Sequence, residues 1–267
     1  MKFGCCSNML ARGPGQTGIE IIEDLRALGF DYVELPLAQV AALSPADFDE
    51  LCRRLQRHAL PCPTCNNFFP TSMRLTGPDA DLAGAMAYAG TALERAARLG
   101  VELVVFGSGP AKMVPAGFPE SAAWRQLVEL LTMISPLAKR HAITVAIEPL
   151  RRQECNIVNS AAEGLALART VDSEQIKLLI DFYHLDAENE DSRIVAAAGD
   201  MLRHVHIARP TGRSFPSAGD APIFRRFFAA LNAASYDGRI SIEAYSDDFR
   251  SDAAGALELL HGAFPKN

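Results

Sequence analysis

The chain has 267 residues, 49% of them hydrophobic and 22% charged, which fits a soluble protein with a substantial core. Its net charge of −6, with no cluster of Lys and Arg forming a basic stripe, excludes an electrostatic nucleic-acid footprint. No apolar run reaches the roughly 18 residues that span a bilayer, and Met1-Lys-Phe-Gly-Cys-Cys6 lacks a long apolar segment with a cleavage site, so a cytoplasmic protein is expected.

In chain order, Lys2–Ser7 reads as a first strand and Thr17–Leu28 as a helix, with Ile19, Ile22, Leu25 and Leu28 at helical spacing and Gly29 as its stop. Asp31–Leu35 is the second strand. Ser44-Pro-Ala-Asp47 opens the next helix, with Ser44 as N-cap and Pro45 in the first turn. Leu60–Asn67 is a third strand made irregular by prolines, and an alanine-rich helix covers 78–99 up to Gly100. Val101–Phe106 is the fourth strand, running into a loop at Gly107-Ser-Gly-Pro-Ala-Lys112. A helix follows over 122–141, then a fifth strand ending at Glu148, a helix over 161–171, and a sixth strand ending at Asp181. A short helical segment over 192–201 leads to a seventh strand ending at His206. A long loop with Gly212, Pro216 and Gly219 precedes a helix over 223–233, an eighth strand ending at Glu243, and a last helix over 253–263.

Eight alternations of strand and helix, with no linker, repeat or low-complexity break, imply a parallel sheet closed into a single (β/α)8 TIM barrel over residues 1–267. The six cysteines (Cys5, Cys6, Cys52, Cys62, Cys65 and Cys155) are scattered through a chain too long to need disulfide staples. Cys62-Pro-Thr-Cys65 has redox-motif spacing but falls at a strand rather than a helix start, so buried free thiols are expected.

Four strand ends carry ionisable side chains: Glu148, Asp181, His206 and Glu243, each about one strand-plus-helix unit from the next. Active sites of such barrels lie at the C-terminal strand ends. Alone, a glutamate there is an ordinary loop anchor and a histidine an ordinary structural residue. Together they form an oxygen-rich, single-nitrogen set that suits Mn²⁺, Mg²⁺ or Co²⁺ better than a structural zinc. A divalent ion also removes the repulsion and desolvation of three buried carboxylates. In His204-Val-His206, alternation sends both imidazoles to one face, so one can serve as a supporting partner of the other.

These residues lie in recognisable segments. Glu148-Pro-Leu-Arg-Arg-Gln-Glu154-Cys-Asn-Ile-Val-Asn159 is similar to the E-P-L-N-R-x-E-x-N-x-x-N segment of the xylose isomerase-like sugar isomerase/epimerase superfamily, in its D-tagatose 3-epimerase and hydroxypyruvate isomerase branch. Asp181-Phe-Tyr-His184 resembles that family's D-x-x-H, His206 its strand-seven histidine and Glu243 its strand-eight glutamate; Gly107-Ser-Gly109 with Val114-Pro resembles a family loop. The likeness is strong over 100–245.

The resemblance implies a divalent metal, manganese foremost with magnesium, cobalt or zinc as alternatives, held by Glu148, Asp181, His206 and Glu243. It implies that Glu154, His184 and Arg213 contact the sugar, with Glu34, at the tip of strand two, as an additional polar contact or a structural residue. It also implies a homodimer or homotetramer. Arg151 departs from the usual Asn, Ile207-Ala-Arg209-Pro lacks an acidic residue that relatives often carry, and the loop over 215–220 is only partly kept, so the substrate is left open.

The reaction expected is isomerisation or epimerisation of a ketose or a related small hydroxy-carbonyl sugar. Glu148 and Glu243 would serve as acid and base through a cis-enediolate whose oxyanion the metal stabilises. A hydride shift would require acidic ligands that strand seven lacks. A dehydratase of inosose or dehydroshikimate type and a non-catalytic sugar-binding barrel are the competing readings; a three-zinc endonuclease needs more than the six histidines present. Gly107-Ser-Gly109 or the loop with Gly212 and Gly219 could offer backbone N–H groups to a phosphate.

Overall fold

The structure, a computed structural model, describes residues 1–13 and 15–264. Eight parallel strands close in sequence order: β1 Lys2–Cys6, β2 Tyr32–Pro36, β3 Thr64–Asn66, β4 Leu103–Phe106, β5 Thr144–Ile147, β6 Ile176–Asp181, β7 Leu202–Ile207 and β8 Arg239–Ile242. β8 pairs back to β1, with Phe3 opposite Ile240 and Cys5 opposite Ile242. The expected (β/α)8 barrel is what forms.

Alternation along the strands assigns each side chain to one of two environments. Phe3, Val33, Leu35, Val104, Phe106, Val145, Ile147, Leu178, Ile180, Val205, Ile240 and Ile242 join the main hydrophobic cluster with the surrounding helices. Their neighbours point into the barrel, and there the interior divides. Leu103, Val105, Ala146 and Leu179, from β4 to β6, form a small separate apolar cluster. Tyr32, Glu34, Thr64, His204, His206 and Ser241, from β2, β3, β7 and β8, form a buried polar one. Gly4 has no side chain because a Cβ there would meet the Tyr32 ring at 2.1 Å.

The helices are α1 Ile22–Leu28, α2 Leu37–Ala42, α3 Pro45–Arg57, α4 Leu82–Arg98, α5 Gly109–Lys112, α6 Glu120–Arg140, α7 Ala161–Val171, α8 Phe182–Ala187, α9 Ile194–Ala198, α10 Ala221–Ala233 and α11 Phe249–Ala263. Ser44 caps α3 by accepting from the Asp47 N–H, and α7 begins in a capping box of Ser160 with Glu163.

Three short helices, α2, α5 and α8, were not expected from the sequence. Each follows a strand (β2, β4 and β6) on the C-terminal side and spans only six, four and six residues, too few for an apolar period to register. β3 is shorter than expected because Pro61 and Pro63 have no N–H to give a ladder; Val33 instead bonds the Pro61 carbonyl. α4 begins at Leu82 rather than 78, where Asp81 accepts from the Gly84 N–H.

The cysteines are free, with Cys62 buried just before β3 and Cys65 buried within it. Among the described residues, no helix is long and apolar enough to cross a membrane.

Candidate active site

Glu148 follows β5 directly, and strand alternation turns its side chain inward beside those of Asp181, His206 and Glu243. One ligand atom from each of the four lies within 4.8 Å of all the others. The sequence named these four, and the fold brings all four together.

Each is held by a local device. The Glu148 N–H donates to the Phe106 carbonyl at 3.1 Å, and the buried Lys112 ammonium donates to the Glu148 carbonyl at 3.1 Å. Gly107 leaves room for the carboxylate, since a Cβ there would meet Glu148 Oε2 at 2.2 Å. Asp181 caps α8, with Oδ1 accepting from the Tyr183 N–H at 2.9 Å, which leaves Oδ2 facing the centre. Glu243 accepts at Oε1 from Asn66 Nδ2, 2.8 Å away, which leaves Oε2 beside His206 and Arg213. His206 turns Nδ1 toward Glu148 Oε1 (3.2 Å) and Glu243 Oε2 (3.4 Å).

A cavity of about 580 Å³ opens above the cluster. Its walls include Glu148, Glu154, His184, Arg213 and Glu243, with Asn8, Asn67, Ser108 and Tyr245; Asp181 and His206 lie deeper. Arg213 spans the acids, 2.5 Å from Glu243, 3.4 Å from Asp181 and 3.4 Å from Glu154. It is fixed by a backbone at φ 46°, by the Tyr245 N–H donating to its carbonyl at 2.8 Å, and by its guanidinium 4.8 Å from the Tyr183 ring centre. Such left-handed backbone costs of order 1–3 kcal/mol outside glycine, a cost that collects at functional sites. His184 accepts at Nδ1 from the Arg151 N–H at 3.3 Å, while its Nε2, also buried and 3.5 Å from Asp181 Oδ2, has no hydrogen-bond partner among the described residues.

The charges follow from this packing. Burial pushes the Asp181 carboxyl up to about 7 against the pull of Arg213, and burial likewise raises Glu148. Burial would raise Glu243 too, but Arg213 and His206 outweigh it and hold that carboxyl below the usual range. Burial, with Arg213 beside it, lowers His184 well below an ordinary imidazole. For His206 burial works downward, yet Glu34 and the acids around it raise it well above the ordinary value.

Of the two roles left open for Glu34, its placement favours the structural one. Glu34 does not line the cavity: β2 runs on to Pro36, so Glu34 lies inside the barrel, fully buried, where it takes hydrogen bonds from His204 and His206 rather than a sugar hydroxyl. Arg151, the departure from the family pattern, forms a 2.7 Å ion pair with Glu154 and stacks on Tyr183, its guanidinium 4.7 Å from the ring centre. Asn66 and Lys112 were missed by the sequence reading; neither belongs to a motif, and only the tertiary contacts reveal them.

The donor set fits a divalent ion. Three carboxylates and one imidazole nitrogen, all buried, offer the oxygen-rich environment that hard and borderline cations take. The chain matches the xylose isomerase-like TIM barrel family over residues 22–262. It belongs to that family.

The family member's relatives carry related chemistry in their names. It is 34% identical over 122 residues to an L-ribulose 3-epimerase of Methylomonas sp., covering 45% of this chain and 42% of that protein. It is 26% identical over 231 residues to a D-psicose 3-epimerase of Ruminiclostridium cellulolyticum, covering 84% of this chain and 77% of that one. A crystal structure of a D-allulose 3-epimerase from Methylomonas sp. superposes with a TM-score of 0.87 at 23% identity over 99% of this chain and 97% of the other, which is a likeness of fold.

Proposed function

We propose that this chain is an enzyme, a divalent-metal-dependent ketose 3-epimerase acting by proton transfer through an enediolate. The observation that carries the reading is the convergence of Glu148, Asp181, His206 and Glu243 at the strand ends, with only the two glutamates among them opening to the cavity. The relatives named above are epimerases of ketoses, which supports this reading over a dehydratase or a non-catalytic sugar-binding barrel.

Glu148, Asp181, His206 and Glu243 would hold the ion, manganese foremost with magnesium, cobalt or zinc as alternatives. When bound, the ion would polarise the ketose carbonyl and its neighbouring hydroxyl and so acidify the C–H between them. The remaining chemistry falls to the chain. One glutamate takes the proton from C3 and the other returns a proton to the opposite face, which inverts that carbon with no net change in composition. Glu148 and Glu243 project from β5 and β8, three strands apart around the closed barrel, and so approach the cavity from different directions. Arg213 and Asn66 orient the Glu243 carboxylate. The buried Nε2 of His184, 3.5 Å from Asp181 Oδ2, the Glu154 carboxylate and the Arg213 guanidinium would provide hydrogen bonds for sugar hydroxyls and the carbonyl oxygen. A homodimer or homotetramer in the cytoplasm remains part of the proposal, and sedimentation measures the assembly.

The test incubates Mn²⁺-loaded protein with free ketohexoses and ketopentoses and separates the products by chromatography. The expected result is interconversion of C3 epimers that EDTA abolishes. Elimination of water from an inosose with no ketose turned over would replace the proposal with a dehydratase.

A further inference from the structure

Among the described residues, Glu34 is the one buried carboxylate outside the cavity cluster, and its two oxygens are used differently. Oε2 is held from three strands: by Thr64 Oγ1 of β3 at 3.0 Å, Ser241 Oγ of β8 at 2.5 Å and His204 Nε2 of β7 at 2.7 Å. Oε1 has one hydrogen-bond partner among the described residues, His206 Nε2, at 3.0 Å. A buried carboxylate is costly without such partners. Four of them make this a built position, and the arrangement points one oxygen at one imidazole nitrogen.

We propose that Glu34 is a positioning residue for metal binding: by accepting from His206 Nε2–H it fixes the ring orientation and tautomer that leave the Nδ1 lone pair facing Glu148, Asp181 and Glu243. The inference rests on the metal-dependent reading above and adds a role for a residue outside the ligand set. Imidazole has one donor and one acceptor nitrogen when neutral, so whichever nitrogen donates to a carboxylate leaves the other to the ion. His206 Nδ1 is the nitrogen beside the cavity carboxylates, at 3.2 Å from Glu148 and 3.4 Å from Glu243. Cys6 Sγ, 3.8 Å from His206 Nε2, is a longer and weaker acceptor than Glu34. His204 contributes by holding Glu34, and its ring meets the His206 ring edge-on at 4.9 Å, which limits rotation of both.

The experiment measures Mn²⁺ affinity of the full chain by electron paramagnetic resonance of the free ion, in wild type, Glu34→Gln and Ser241→Ala, with folding checked by circular dichroism. Partners of this kind change metal affinity by about 10–100-fold when removed. Glu34→Gln should therefore weaken Mn²⁺ by about that factor, and Ser241→Ala, which loosens Glu34 without touching the cavity, by a few-fold. A folded Glu34→Gln protein that binds Mn²⁺ within about twofold of wild type overturns the proposal and leaves the metal reading intact. A wild type that binds no divalent ion removes both. Two ions per chain, the second lost in Glu34→Gln, would make Glu34 a ligand and also overturn it.

Should Glu34→Gln fail to fold, ¹⁵N NMR of wild type loaded with diamagnetic Zn²⁺ decides. A protonated Nε2 and a metal-shifted Nδ1 on His206 support the proposal, and the reverse assignment contradicts it.

Discussion

The two ends of the barrel each carry a cavity, and the larger one lies away from the proposed site. The space of about 880 Å³ at the N-terminal strand ends exceeds the 580 Å³ at the C-terminal ends. Its charged walls pair at the surface: the Met1 ammonium with Asp237, and Arg239 with Glu102, whose side chain is 64% exposed. At the other end the four converging groups are at most 5% exposed, and two of them carry raised carboxyls. Exposed pairs contribute about 0–1 kcal/mol because water screens them. Buried like charges strain against one another until a ligand or a proton relieves them. Concentrated, desolvated charge, not volume, distinguishes the proposed site.

That contrast can be broken by substitution. Glu148→Gln and Glu243→Gln should each lower kcat for ketose epimerisation by about 10²–10⁴-fold, the usual share of positioned general acids and bases. Steady-state turnover within a few-fold of wild type in both would remove the two-glutamate mechanism. Gly107→Ala should lower kcat by about 10²-fold, because its Cβ displaces the Glu148 carboxylate; activity near wild type would mean the carboxylate has freedom to move.

Binding at the C-terminal end should also appear in stability. Mn²⁺ at a hundredfold excess over its Kd should add about 2.7 kcal/mol to unfolding, measured by denaturant titration, and Asp181→Asn should shrink that gain. The smallest effect belongs to the opposite end. Glu102→Gln should change stability by less than about 0.5 kcal/mol and leave kcat unchanged, a comparison that denaturation and the same kinetic assay make together.

Much of this is legible in the sequence. Glu148, Asp181, His206 and Glu243 stand where β-prone apolar runs stop, and closure of the barrel turns that one-dimensional regularity into convergence. Glu34 follows the same pattern, yet its strand continues two residues further, so the side chain falls inside the barrel rather than at its rim. A one-dimensional pattern does not reveal where a strand ends relative to its neighbours. Asn66 and Lys112 are hidden for another reason: their partners, Glu243 and the Glu148 carbonyl, are remote in sequence and meet them only after closure. The short helix α8 was missed although its cap was named, because Asp181 was read only as a strand-end carboxylate. In the fold that side chain both caps α8 and faces the cluster.

The most direct measurement follows deuterium by NMR when the Mn²⁺-loaded protein is incubated in D₂O with free ketoses. Proton transfer by Glu148 and Glu243 predicts deuterium at C3 of the substrate and of its epimer; either Gln variant loses epimerisation and confines exchange to the epimer whose C3–H faces the remaining glutamate. Epimerisation without solvent deuterium would contradict glutamates that exchange with water, and no exchange with any ketose would contradict the enediolate itself.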